Sequence, residues 1–121
     1  MGANTAPERF VAAVGETNLF AVSFAGLLDS GESLTGTPAV VEVTTSDLTI
    51  ANIAAASNKG TVNTSTIIIN GVDVVAGDAV QFKVSGQLLT HTPYTIMITA
   101  GTDSTPAQTK VKYVRFMCEG A

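Results

Sequence analysis

The sequence predicts an all-β fold, an immunoglobulin-like β-sandwich of about seven strands, on three observations. Apolar residues recur at every second position in one run after another, which is the period of a strand with one buried face. Turn residues separate these runs at intervals of about 8 to 14 residues, the spacing of a sandwich. No segment carries a helical period.

Residues 1–15 form an N-terminal arm and first strand, and 16–121 a single sandwich domain. Gly2 to Pro7 is small, polar and uncharged, an arm that either stays unordered or reaches over a neighbour. From Asn18 to Ala25, Phe20, Val22 and Phe24 alternate with Ala21 and Ser23, and Asp29-Ser30-Gly31-Glu32 breaks the run. After Pro38, Val41 and Val43 alternate with Glu42 and Thr44, and Leu48 and Ile50 follow a short turn at Ser46-Asp47. Ala51 to Ser57 reads as strand or loop. Asn58-Lys59-Gly60 then turns the chain.

Ile67 to Ile69 ends at Asn70-Gly71, the strongest hairpin signal in the chain, with Val72, Val74 and Val75 as the return strand. Val80, Phe82 and Val84 alternate with Gln81, Lys83 and Ser85. Tyr94, Ile96, Ile98 and Ala100 share a face opposite Thr95, Met97 and Thr99. In the last strand Val114, Phe116 and Cys118 share one face and Tyr113, Arg115 and Met117 the other. Tyr94 opens the penultimate strand, where a tyrosine corner anchors the preceding loop through its hydroxyl; the alternative is a boundary tyrosine with its hydroxyl in water.

At 121 residues there is room for one core, and folding buries about two thirds of the unfolded surface. Cys118 has no partner for a disulfide, so packing and partners must supply stability. Charged residues make up 13% of the chain, half the usual share, and Ser and Thr fill polar positions, as on a surface covered by neighbours. A net charge of −4 with scattered Lys and Arg excludes a nucleic-acid partner. No stretch approaches 18 apolar residues, and Glu8 and Arg9 interrupt the N-terminus, so neither a membrane span nor a signal peptide is expected. Synthesis in a cytoplasm follows.

No catalytic residue, metal ligand or cofactor site is expected, and the chain reads as a non-enzyme. His91, Met117 and Cys118 lack the second histidine of a blue-copper site. Nothing orients Cys118 and His91 as a nucleophile and base, and Cys118 reads as a small buried hydrophobe. Asp73, Asp78 and Asp103 do not fall at a calcium-loop spacing. Asn63-Thr64-Ser65 fits a glycosylation sequon but reads as a polar loop.

Interaction features stand out more. Tyr113, Arg115 and Met117 are residue types enriched at interfaces, and a terminal strand offers an edge to another chain. The alternative for that face is packing on the other sheet. Leu88 and Leu89 are two adjacent leucines in a polar loop, and they either meet a partner or tuck under the loop as a lid.

Gly15-Glu16-Thr17, Val22-Ser23-Phe24, Leu28, Ser30-Gly31-Glu32-Ser33-Leu34, Leu48-Thr49-Ile50, Val80-Gln81-Phe82-Lys83-Val84-Ser85-Gly86, Tyr94-Thr95-Ile96 and Ile98-Thr99-Ala100 occur in that order over most of the chain. The set resembles the small immunoglobulin-like fibre-tail adaptor proteins of tailed bacteriophages. The resemblance implies a non-enzymatic virion structural protein, a homo-oligomer contacting tail, fibre or major capsid proteins. At Gly86 to Pro93 the relatives carry a glycine-rich segment, so Leu88-Leu89 points to a different docking surface and makes capsid decoration, or cement, the alternative on the same scaffold. An extracellular adhesion or carbohydrate-binding module is a further alternative, which the absence of tryptophan and the presence of only two tyrosines disfavour.

Overall fold

Tyr94–Thr102 alternates buried and half-buried side chains without a break, so this strand sits inside a sheet with one face on a core. Its neighbours build outward from it. The computed structural model describes residues 5–119, with side chains from Phe10 onward. Among these, the strands are β1 (Thr5–Ala12), β2 (Asn18–Ser23), β3 (Leu34–Glu42), β4 (Thr49–Ala51), β5 (Thr61–Val62), β6 (Ile67–Ile69), β7 (Val72–Val74), β8 (Ala79–Ser85), β9 (Tyr94–Thr102) and β10 (Thr109–Cys118). A single 3-10 turn, Ala25–Leu27, follows β2.

The strands form an all-β sandwich. One sheet has the order β1-β10-β9-β3, the other β2-β8-β4 with β5 also on β8, and β6-β7 is a separate hairpin. Val114, Phe116, Tyr94, Ile96, Ile98 and Val40 of the first sheet face Val22, Phe24, Ile50, Val80, Phe82 and Val84 of the second, all buried. Phe20 locks the layers by edge-on contacts with Phe10 at 5.1 Å and Phe116 at 5.5 Å between ring centres. The chain exposes 6,245 Å², near the roughly 6,100 Å² expected for a folded monomer of its mass.

Several expectations need correction. Ten strands replace about seven, because β4 to β7 are pieces of two or three residues. Thr5 to Pro7 belongs to β1, paired in parallel with β10, and the rest of the expected arm lies outside the described residues. β10 is therefore interior, not an edge open to another chain. In β3 the buried residues are Leu34, Pro38 and Val40, while Val41, and Val43 just past the strand, are exposed. Pro38-Ala39-Val40-Val41 is apolar at four consecutive positions and has no phase of its own, and a register shift between Thr35 and Ala39 sets it.

Three edges are blunted. β3 is covered by the 58–60 segment through Val40 N–H to Asn58 O and Gly60 N–H to Pro38 O. β1 has a register shift between Thr5 and Arg9, a device that discourages strand addition. β4 and β5 are too short to template a partner.

Candidate interaction surface

Three loops meet at the pole where β9 begins and β10 ends: 13–17, 43–48 and 86–93. Tyr94 is fully buried and its hydroxyl organises them, accepting the Leu88 N–H at 2.9 Å and donating to Asp47 Oδ2 at 2.9 Å. This is the tyrosine-corner reading, and it overturns the alternative of a hydroxyl in water. His91 Nδ1 contacts the same Asp47 oxygen from the loop's outer side. Gln87 is buried, and its Nε2 donates to Ala13 O at 2.6 Å and Glu16 O at 2.9 Å. Gly86 makes the close approach possible: its φ is +87°, and a Cβ there would lie 2.5 Å from the Asp47 carbonyl oxygen.

The electrostatics follow from these contacts. The His91 ring, and then the Tyr94 hydroxyl, hold the Asp47 carboxyl below its ordinary value against the opposing pull of burial. For Glu42, burial pulls upward but is outweighed by the hydroxyls of Thr44 and Thr45 and the N–H groups of Thr45 and Leu48, so its pKa also falls. Burial raises the Tyr94 and Cys118 values. These contacts leave one buried acceptor of the pole, Gln87 Oε1, without a partner among the described residues.

Leu88 and Leu89 are 41% and 46% exposed and stand outside the core, which removes the lid reading. Val14 and Val43 are exposed on the two adjoining loops. Thr92 Oγ1 accepts the Cys118 N–H at 2.9 Å and approaches Met117 Sδ at 3.9 Å, tying the loop to the end of β10. From there the apolar surface continues over the outer face of the first sheet. Cross-strand neighbours Tyr113, Met97 and Val41 form one row across β10, β9 and β3, and Val111, Thr99 and Ala39 the next. Val11 lies beside Met117 on β1. Because Val114, Phe116 and Cys118 occupy the core side, Tyr113, Arg115 and Met117 point away from the second sheet. Arg115 is the charge on this face among the described side chains.

The structure thus brings Leu88, Leu89, Met117 and Arg115 to one pole, with Tyr113 farther along the same face. Among the described residues, no three His, Cys, Asp or Glu side chains group as a metal site. No helix among them is long and apolar enough to cross a membrane.

Sequence reasoning missed Asp47, taken for a turn residue, and Gln87, a polar residue with no pattern to mark it as buried. The tyrosine corner was the signal that implied loop partners. Asn63-Thr64-Ser65 is the polar loop expected, between β5 and β6, but its asparagine is buried and its side chain fully engaged. Its Nδ2 donates to Ser65 O and Val75 O, each at 2.9 Å, and its Oδ1 accepts the Gly77 N–H at 3.1 Å and the Ala79 N–H at 2.9 Å. Nothing in the sequence marks it.

Comparison with models of known protein families finds no match, and comparison with curated proteins finds none either.

Proposed function

We propose that this chain is a non-enzymatic structural protein of a bacteriophage particle, a homo-oligomeric adaptor between tail and fibre, made in the host cytoplasm and resident in the virion. The observation that carries the reading is the continuous, nearly uncharged surface running from Leu88 and Leu89 over Met117, Tyr113, Met97 and Val41. Such a face suits a partner surface rather than a solute. The topology supports the immunoglobulin-like scaffold of the resemblance: the order β2-β8-β4 is compatible with strands B, E and D, and β3-β9-β10 with C, F and G. The bond from the Leu88 N–H to the Tyr94 hydroxyl is the kind of contact a corner tyrosine makes, which supports the same reading.

Two further observations weigh against the other classes. At the loop pole Glu42 is taken up by the Thr44 and Thr45 hydroxyls and Asp47 by the Tyr94 hydroxyl and the His91 ring, and among the described residues no nucleophilic side chain is hydrogen-bonded to His91. Burial of Tyr94 leaves Tyr113 as the exposed tyrosine, a poor platform for a sugar.

Quantitative mass spectrometry of purified particles tests the proposal. About a dozen copies or fewer per particle supports the tail adaptor. Hundreds of copies would assign the chain to capsid decoration instead, and absence from particles would overturn the virion reading.

A further inference from the structure

The β6–β7 hairpin stands apart from both sheets and is built to project. Asn70 and Gly71 have φ of 51° and 77°, the left-handed pair that closes a two-residue hairpin turn. Ile67 pairs with Val74 and Ile69 with Val72 on one side, and Val74 is buried against the domain. Ile68 and Asp73 pair on the opposite, outward side, joined by Val75 one step along the strand direction. Ile68 is 72% exposed and Val75 55%. Strands of three residues do not hold such a shape alone. Asn63 supplies the support, gripping Val75 O and the Gly77 and Ala79 N–H groups at the hairpin's base. A finger with an apolar outward side is therefore held rigid at considerable local expense in buried polar groups.

The hairpin leaves the domain beside Ala79, where β8 begins, and touches β2 of the second sheet. Arg115 sits on the first sheet, paired with Thr95 next to the start of β9, at the opposite pole and on the opposite layer. Asp73 lies beside Ile68 and Val75, and Arg115 lies between Tyr113 and Met117 with Arg9 as its register partner on β1. Neither has a hydrogen-bond or ion-pair partner among the described residues. The two cannot meet within one molecule.

We propose that copies of this chain join head to tail: the outward side of the β6–β7 hairpin of one copy seats on the outer face of the β1-β10-β9-β3 sheet of the next, and Asp73 pairs with Arg115 across the contact. Ile68 and Val75 meet the Tyr113-Met97-Val41 row, apolar on apolar, and the two unpartnered charges of opposite sign fix the register. The contact uses different surfaces on its two sides, so it is heterologous and propagates to a ring if its rotation closes, or to a filament if it does not. The hairpin's footprint, two three-residue strands about 10 Å across and about 10 Å long, is well under the roughly 800 Å² per partner of a stable pair. A single contact is accordingly weak, and closure, which holds every copy twice, is what makes the assembly persist. The proposal rests on the reading of that sheet face as a docking surface, but not on the chain's place in a particle, so its test is made in solution.

The experiment is disulfide trapping in a Cys118→Ala background, at about millimolar protein to suit a weak contact. Chains carrying Ile68→Cys are mixed with chains carrying Tyr113→Cys and oxidised slowly, with each variant alone as control. Mixed pairs are expected to form, with few pairs from either variant alone. Adding Asp73→Arg to the Ile68→Cys chain is expected to slow trapping about tenfold, and adding Arg115→Asp to its partner to restore it. All four positions are exposed or lie on the outer face, and circular dichroism verifies that each variant is folded. Trapping within one variant alone, trapping indifferent to both charge reversals, or no trapping would each overturn the proposal. Particle copy number fails or succeeds independently of these outcomes.

Discussion

The two poles of the sandwich are each fastened by a buried polar side chain, but by different chemistry. At the hairpin pole Asn63 makes its contacts as a neutral amide that donates and accepts at once. At the loop pole the Tyr94 hydroxyl and the Asp47 carboxylate share the work with Gln87, and one partner carries a charge. A neutral clasp is insensitive to pH, whereas a clasp through a carboxylate is not. The first holds a projecting finger and the second presents Leu88 and Leu89, so the two proposed contact elements are mechanically independent.

The sharpest way to break the comparison is Asn63→Ala. It removes both halves of the amide and leaves the buried Ala79 N–H without its acceptor, while the Gly77 N–H keeps the residue 63 backbone carbonyl and the Val75 carbonyl keeps the Asp78 N–H. Unfolding by urea is expected to show a loss of about 2 to 3 kcal/mol, one unsatisfied buried N–H plus the other bonds of the amide. Amide exchange should rise first at Gly77 and Ala79, while Leu88 stays protected. A loss shared evenly by both poles would show that the clasps are coupled.

How much of this was legible depends on whether a neighbour in sequence or a neighbour in space decides the outcome. β2, β8, β9 and β10 show a period of two in residue type, and their buried faces read directly from it. The β6–β7 turn was equally plain, since Asn-Gly is a local signal. β3 was read out of phase because four apolar residues in a row carry no period, and the bulge that resolves them depends on β9. The parallel pairing of β1 with β10 joins the two ends of the chain, and no local feature announces it. The same division holds for the surface. Leu88, Leu89, Tyr113, Arg115 and Met117 stood out by type, whereas Asp47, Gln87 and Asn63 matter only through partners far along the chain.

Tyr94→Phe addresses the other clasp. The ring still fills its place against Phe116, 6.1 Å away between centres, so the core is kept and the hydroxyl alone is lost. The Leu88 N–H and Asp47 Oδ2 each lose a partner. A loss of about 1 to 2 kcal/mol is expected in urea unfolding, below that of Asn63→Ala because the loop pole is closer to water and Gln87 still holds its two carbonyls. Exchange should rise at Leu88 with Gly77 and Ala79 unchanged, the mirror image of the first variant.

Acid should separate the clasps without any substitution, with the smallest effect of the three. Asp47 has its folded pKa lowered by the His91 ring and the Tyr94 hydroxyl, and Glu42 is lowered by its threonine donors. A lowered folded value means that the stabilisation is fully present above the unfolded carboxylate range, about pH 4 to 4.5, and is lost as pH falls through the folded values beneath it. Protection factors at Leu88, Thr44 and Thr45 are therefore expected to hold from neutral pH down to that range and then decline. Those at Gly77 and Ala79 should hold throughout, because Asn63 has nothing to protonate. Glu32, whose pKa is lowered by the Asp29 N–H and then by the Ser104 hydroxyl, shares the hairpin's pole and supplies the internal control. Its turn at Asp29 should loosen with acid while the hairpin beside it does not, which ties the response to carboxylates and not to position in the fold.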